Sequence, residues 1–160
     1  MIIEPKKRSL SCIEGIPQIN GILKTTSTYF FGWEFKVGNE NIVLNKFKWY
    51  NADEFTKTRR IEIFNFPNMT LLAYGKVEAL PNSWGIGDPN KEIILESGKT
   101  YRILIKVPKE QYYFYSKPDS IKFNEQDIKL LSFRYSTDMI ELFETKILSE
   151  FVDFEYKKIK

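Results

Sequence analysis

The chain has 160 residues, 24 basic and 21 acidic side chains for a net charge of +3, and 16% aromatic residues. It has no histidine and one cysteine, which excludes Ser-His-Asp and Cys-His catalysis, histidine general bases, the usual zinc sites and an internal disulfide. At this length one domain is expected, and 13 Phe, 9 Tyr and 3 Trp favour pleated, half-buried strands.

Positive charge gathers at the two ends, where Lys6, Lys7, Arg8, Lys157, Lys158 and Lys160 face a single acid, Glu4; between them acids slightly outnumber bases. Such arms can contact another protein, or simply be solvated. A nucleic-acid partner is not expected, because no basic face is evident in the body. No run approaches the roughly 18 apolar residues of a membrane span, and residues 1–30 contain no signal-peptide core, so neither membrane insertion nor export by that route is expected. The sequence divides into an N-terminal arm and first strand (1–26), a β-sandwich domain (27–156) and a basic C-terminal tail (157–160).

In chain order, Pro5 keeps the arm MIIEPKKR from helix, Ser9 to Ile13 reads as a short strand, and GIPQING (15–21) reads as loop. Cys12 is expected as a small buried residue, since nothing is present to activate its thiol. From Tyr29, alternation places Phe31, Trp33, Phe35 and Val37 on one face, with Gly32, Glu34 and Lys36 on the other. Gly38 to Asn41 form a turn. The next run keeps Ile42 and Leu44 in phase, then shifts parity to Phe47 and Trp49, which predicts a bulge near Asn45 and Lys46.

Arg59 to Phe66 alternates with Ile61 and Ile63 inward, and Pro67 and Asn68 turn it into a strand carrying Leu71, Ala73, Gly75 and Val77. That face is small enough for another backbone or a bulky ring to lie close. PNSWGIGDPN (81–90) reads as the longest loop. Ile93 to Leu95 and Tyr101 to Val107 are strands joined by a turn at Glu96 to Lys99, read as a hairpin. Further strands are expected at 111–116, 121–123 and 131–136. Apolar residues Ile140, Phe143, Ile147 and Phe151 recur at spacings of three and four, which predicts one short helix, with a loop carrying strand pieces as the alternative. A last strand spans Phe151 to Tyr156.

Four stretches resemble a family of β-sandwich modules of unassigned function found in exported bacterial proteins, including PEP-CTERM-sorted ones. They are GWEFKV with NIVLNKFKWYN, RIEIFN with TLLAYGKV, LESGKTY through Leu95, Gly98 and Tyr101, and the late FRYS and FEY. Together they cover roughly residues 28 to 156. The resemblance implies an all-β fold, a single antiparallel sandwich of jelly-roll type with eight or nine strands, and no assigned catalytic residue. With no export signal or sorting tail read in the chain, a module with basic arms suits a component of an assembly, such as a virion decoration or tail protein.

The expected function is therefore non-catalytic: structural or adhesive contact with other proteins, including further copies, through Lys6, Lys7, Arg8, Lys157 and Lys158, without cofactor or metal. The alternative is carbohydrate binding. Trp84 sits in a glycine-rich stretch and admits either a packing or a ligand role, and Tyr113 and Tyr115 lie on an alternating strand that must turn two of four aromatics from the core. Glu34, Asp53, Glu54 and Asp88 are candidate acids for a hydrolase, read instead as solvated surface charges. The loops around Asn82, Asp88 and Asn90, and around Asn51, Asp53 and Glu54, offer calcium-type oxygens without a known ligand spacing, so turn capping is expected.

Overall fold

The computed structural model describes residues 9–137 and 142–159. The first half of the chain gives β1 (Leu10–Ser11), β2 (Ile13–Glu14), β3 (Gly21–Lys24), β4 (Tyr29–Val37), β5 (Ile42–Asn51), β6 (Lys57–Asn65), β7 (Leu71–Ala79) and β8 (Ser83–Gly87). The second half adds β9 (Ile93–Leu95), β10 (Thr100–Val107), β11 (Tyr112–Ser116), β12 (Lys122–Phe123), β13 (Ile128–Ser136), β14 (Phe143–Thr145), β15 (Leu148–Ser149) and β16 (Val152–Lys158). A 3-10 turn at Pro118–Ser120 is the one helical piece among the described residues, and none is long and apolar enough to cross a membrane.

The fold is all-β and antiparallel. A five-stranded sheet runs β1-β16-β5-β8, with β9 also on β5, and a six-stranded sheet runs β14-β13-β4-β10-β6-β7. Two small sheets, β15-β11-β3 and β12-β2, complete it. Six of the strand segments are only two or three residues long, which is why the segments outnumber the eight or nine strands expected.

One continuous core lies between the two large sheets. The inward face of β4 behaves as its alternation predicts, with Phe31, Trp33, Phe35 and Val37 all buried. The predicted bulge is present: β16 pairs Glu155 with Lys46 and then Tyr156 with Leu44, skipping Asn45. That shift brings Ile42, Leu44, Phe47 and Trp49 onto one buried face. Two indoles cross the core in opposite directions. Trp33 Nε1 donates to the Val152 carbonyl at 2.7 Å, and Trp49 Nε1 donates to the Val77 carbonyl at 2.9 Å.

The turn at 38–41 does not make a hairpin. β4 is already paired on both sides, by β10 and β13, and β5 by β16 and by β8 and β9, so the chain must cross between sheets. The same holds for 96–99, because β10 is flanked by β4 and β6 while β9 pairs β5. The two crossovers brace each other: Gly98 N–H donates to the Val37 carbonyl at 2.9 Å and Ser97 N–H to Asn41 Oδ1 at 2.8 Å. The β6–β7 hairpin forms as expected.

The segment read as the longest loop contains a strand, β8. Its glycines allow that. A Cβ on Gly85 would stand 2.5 Å from the Glu78 carbonyl oxygen, and one on Gly75 would stand 2.5 Å from that of Asp88, so β7 and β8 close one side of the sandwich by backbone approach. Over residues 142–151 the expected helix is replaced by β14, β15 and a turn; residues 138–141 lie outside the described residues. The edges of β13 and β11 offer these residues ladder bonds, and Phe143 is spent on a Tyr135 contact outside the core while Leu148 takes the buried position. Helical spacing is overridden by tertiary pairing.

Replacing Trp33 with Phe removes the indole donor and leaves a gap beside the Val152 carbonyl. The expected loss is about 1–3 kcal/mol, read as a lower urea midpoint at unchanged slope, with Trp49→Phe behaving likewise.

Candidate functional site: an exposed sheet edge and an aromatic pocket

β8 pairs Trp84 with Tyr50 of β5, so Trp84 belongs to a strand rather than a loop. Its ring meets Tyr50 edge-on at 5.5 Å, Lys48 Nζ lies 4.5 Å from the ring centroid, and Nε1 donates to the Gly15 carbonyl at 3.1 Å. These contacts hold Trp84 as a packing residue that pins the 15–20 loop. Tyr113 and Tyr115 lie on β11, in a different sheet. Tyr113 packs on Phe31 at 4.6 Å and Tyr29 at 6.1 Å. Tyr115 covers Gly21, where any side chain would meet its hydroxyl. No ring contact joins Trp84 to either tyrosine among the described residues, so the three do not form one platform.

Lys157 and Lys158, read as a tail, are the last two residues of β16. Lys157 is exposed opposite Val43, and Lys158 pairs with Asp127 at 3.0 Å. Lys6, Lys7 and Arg8 lie outside the described residues.

The acids take other partners. Glu34 faces outward on β4 yet is buried, accepting from Arg102 Nε at 2.6 Å with Arg134 at 3.9 Å. Phe64, Leu104 and Leu142 bury themselves beside it. Asp53 pairs with Lys57 at 2.5 Å and accepts from the Glu54 amide, and Asp88 pairs with Lys46. Burial raises the Asp53 carboxyl, but these donors outweigh it and hold the group below its ordinary value. The calcium-type oxygens cap turns: Asn51 Oδ1 accepts from the Asp53 amide and Asn90 Oδ1 from the Tyr74 amide. Among the described residues no cluster of three or more Cys, Asp or Glu is arranged to hold a metal ion.

Sequence reasoning missed β3, whose four residues follow directly on a loop signal. β3 pairs only with β11, leaving its other edge without a partner among the described residues. The Thr25 amide bonds the Gln111 carbonyl at 2.8 Å, so alternation turns the amides and carbonyls of Lys24 and Ile22 to the free side. The edge is held in place at both ends. Thr25 Oγ1 donates toward the Pro108 and Gln111 carbonyls, and Asn20 N–H bonds the Tyr115 carbonyl at 2.8 Å. Ile22 and Leu23 on β3 and Tyr112 on β11 are exposed, as are Ile16, at 72%, and Ile19 in the loop that precedes β3. Large apolar side chains gathered on an unpaired edge are the usual mark of a protein contact.

Two concavities flank the 143–149 segment. A groove of about 740 Å³ lies along β13, between Ile121 and Phe123 on one wall and Leu130, Leu131 and Phe133 on the other. A smaller pocket of about 270 Å³ opens between Tyr29 and Phe31 of β4, Tyr113 of β11 and Tyr135 of β13, with Thr145, Ile147 and Ser149 closing it.

Besides the Glu34–Arg102 pair, buried charge is concentrated at two points. Arg59 on β6 and Glu150, in the turn before β16, are both almost wholly buried and stand 3.7 Å apart, with Arg59 Nε and Nη2 and Glu150 Oε1 lacking hydrogen-bond partners. Glu150 and Phe151 both adopt left-handed backbone, φ 61° and 38°, a strain the packed surroundings must hold. Burial pushes the Glu150 carboxyl up to about 7 against the pull of Arg59 and Lys57. Asp153 accepts from the amides of Cys12 and Ile13 at 3.1 Å each and of Phe154 at 2.7 Å, and burial still raises it to about 6. The Cys12 thiol, buried as expected, is pushed well up by burial and by Asp153.

No protein-family model matches the chain, and no curated protein matches it.

The raised carboxyls set a pH dependence. Between about 4.5 and 7 the folded state retains a proton on Glu150 that the unfolded chain has released, so the native state binds more protons and stability falls as pH rises through that window. Asp153 acts in the same direction. Urea midpoints are therefore expected to be higher at pH 5 than at pH 7.5, and Glu150→Gln should flatten the difference; a wild-type midpoint that rises with pH would contradict this account.

Proposed function

We propose that this protein is a non-catalytic structural module that joins a larger protein assembly through the free edge of β3, with a second copy of the chain as the partner. The observation that carries this reading is the braced β3 edge that has no partner among the described residues, with Ile22 and Leu23 exposed on it and Ile16 and Ile19 exposed in the loop before it. Register supports a second copy. An antiparallel pairing about a twofold at Ile22 sets Ile22 against Ile22, Leu23 against Gly21 and Lys24 against Asn20, so no like charges stand opposite one another. The small β15-β11-β3 sheet would then run on into its copy, burying the isoleucines of both loops.

A jelly-roll connection of the two large sheets is part of the same proposal, as is kinship with the β-sandwich modules of exported bacterial proteins that the sequence resembles. A virion decoration or tail component is the setting this reading favours. The basic residues Lys6, Lys7, Arg8, Lys157 and Lys158 would add salt-sensitive contacts to a further neighbour in the assembly, apart from the apolar β3 edge.

Light scattering across a concentration series tests the proposal. The wild-type chain is expected to form a defined dimer, and Ile22→Lys, which sets two cations face to face at the twofold, to be monomeric with an unfolding midpoint within about 0.5 kcal/mol of wild type. A wild-type chain that is monomeric at every concentration would overturn self-pairing, as would an Ile22→Lys variant that dimerises normally.

A further inference from the structure

The pocket between β4, β11, β13 and the 143–149 segment is chemically unlike the rest of the surface. Every side chain lining it is uncharged, although charged residues make up 28% of the chain. Its walls are aromatic: Tyr29 and Phe31 stack at 5.4 Å with 2° between their planes, and Tyr113 tilts 43° against Phe31 at 4.6 Å. Tyr135 lies opposite Phe31 in the β13–β4 ladder. The hydroxyls of Tyr29, Tyr113, Tyr135 and Ser149 make no hydrogen bond among the described residues, and Thr145 Oγ1 accepts only a long one, from the Ile147 amide at 3.4 Å. Hydroxyl groups at the rim of a concave aromatic site are therefore available to a ligand.

We propose that this pocket binds one ring of a neutral sugar. Flat apolar ring faces meet the C–H face of a pyranose, and neutral hydroxyls both donate to and accept from its hydroxyls, whereas an anionic or cationic ligand would find no counter-charge. A volume of about 270 Å³ is just below the range of about 300–1,000 Å³ typical of small-molecule sites, which restricts the occupant to about one ring, as at the end of a glycan chain. Burial and the neighbouring Tyr29 and Tyr115 raise the Tyr113 hydroxyl above its ordinary value, which keeps it a neutral donor even in mildly alkaline solution. Ile22, at the centre of the proposed β3 pairing, does not line this pocket, although Leu23 stands opposite Tyr113 in the β11–β3 ladder.

The test is ligand-observed NMR on the full chain with the methyl glycosides of glucose, galactose, mannose and N-acetylglucosamine, and with a methyl glucuronide as the charged comparison. At least one neutral glycoside is expected to bind saturably and the glucuronide more weakly. Tyr113→Phe and Tyr135→Phe keep the rings and the packing but remove the hydroxyls, and each is expected to weaken binding about three- to tenfold. Trp84→Ala, which lies in the other sheet, should leave it unchanged. The proposal is overturned if no neutral glycoside saturates, if the glucuronide binds best, or if neither tyrosine variant changes the affinity of a glycoside that does bind.

Discussion

Two indole N–H groups hold this sandwich in register. Facing sheets pack about 10 Å apart, beyond the reach of backbone hydrogen bonds, so away from the β7–β8 seam side chains decide how one slides over the other. Apolar contact is nearly indifferent to a small slide. A hydrogen bond is not, and here Trp33 reaches from β4 to the Val152 carbonyl while Trp49 reaches back from β5 to the Val77 carbonyl. With one bond in each direction, at the β16 and β7 ends of the two sheets, both translation and rotation carry the penalty of an unmet buried carbonyl. The aromatic stack of Trp33, Phe35 and Phe154, with centroids 5.2–5.7 Å apart, fills the space between.

With that register set, closure of the two open sides follows from side-chain size. On the β7–β8 side there is almost no side chain at all: Gly75, Gly85 and Gly87 let two backbones from different sheets touch. On the opposite side the gap is wide, and the β2–β12 pair fills it, bringing Phe123 edge-on to Trp33 at 5.3 Å. The N-terminal segment is held there by Asp153, whose two oxygens accept from consecutive amides about 140 positions away in sequence. One buried carboxylate thus joins the beginning of the fold to its last strand, and it is satisfied by three amides where the Arg59–Glu150 pair is left incomplete.

What could be read in the sequence was whatever a strand shows by itself. The β4 alternation, the parity shift at Asn45 and the small face of β7 each express a single strand's two faces, and each matches the structure. What could not be read depended on a second segment. Turn chemistry at 38–41 and 96–99 announces a change of direction, but whether the flanking strands pair is decided by neighbours already in place. Gly85 and Gly87 look like loop glycines until β7 is beside them. The spacing of Phe143, Ile147 and Phe151 looks helical until the β11 and β13 edges claim the backbone. Among the site residues, Tyr113 was legible as an aromatic that need not be core. Its companions Tyr29 and Tyr135 were not, because each is simply the outermost member of a good inward-facing alternation, and only the end of the sandwich shows that the last position is half open.

The same logic explains why the surfaces proposed for binding fall on or beside the three-stranded sheet. The β7 and β8 edges of the two large sheets are spent on closure by glycine contact, and part of the outward face of β4 and β10 is covered by Arg102, Phe64 and Leu142. β15-β11-β3 has no such duty. It is joined to the sandwich through Tyr113 on Tyr29 and Phe31, through the Phe114 carbonyl accepting the Glu150 amide, and through the loop contacts of Thr25. Those attachments hold its strands in place without covering them. A four-residue edge strand offers too few ladder bonds to recruit a partner by backbone pairing alone, so in the proposed pairing the exposed apolar side chains would supply the affinity and the ladder the orientation. In this reading the indole-bridged core supplies rigidity, and the proposed recognition falls to a small sheet whose β3 edge has no partner among the described residues.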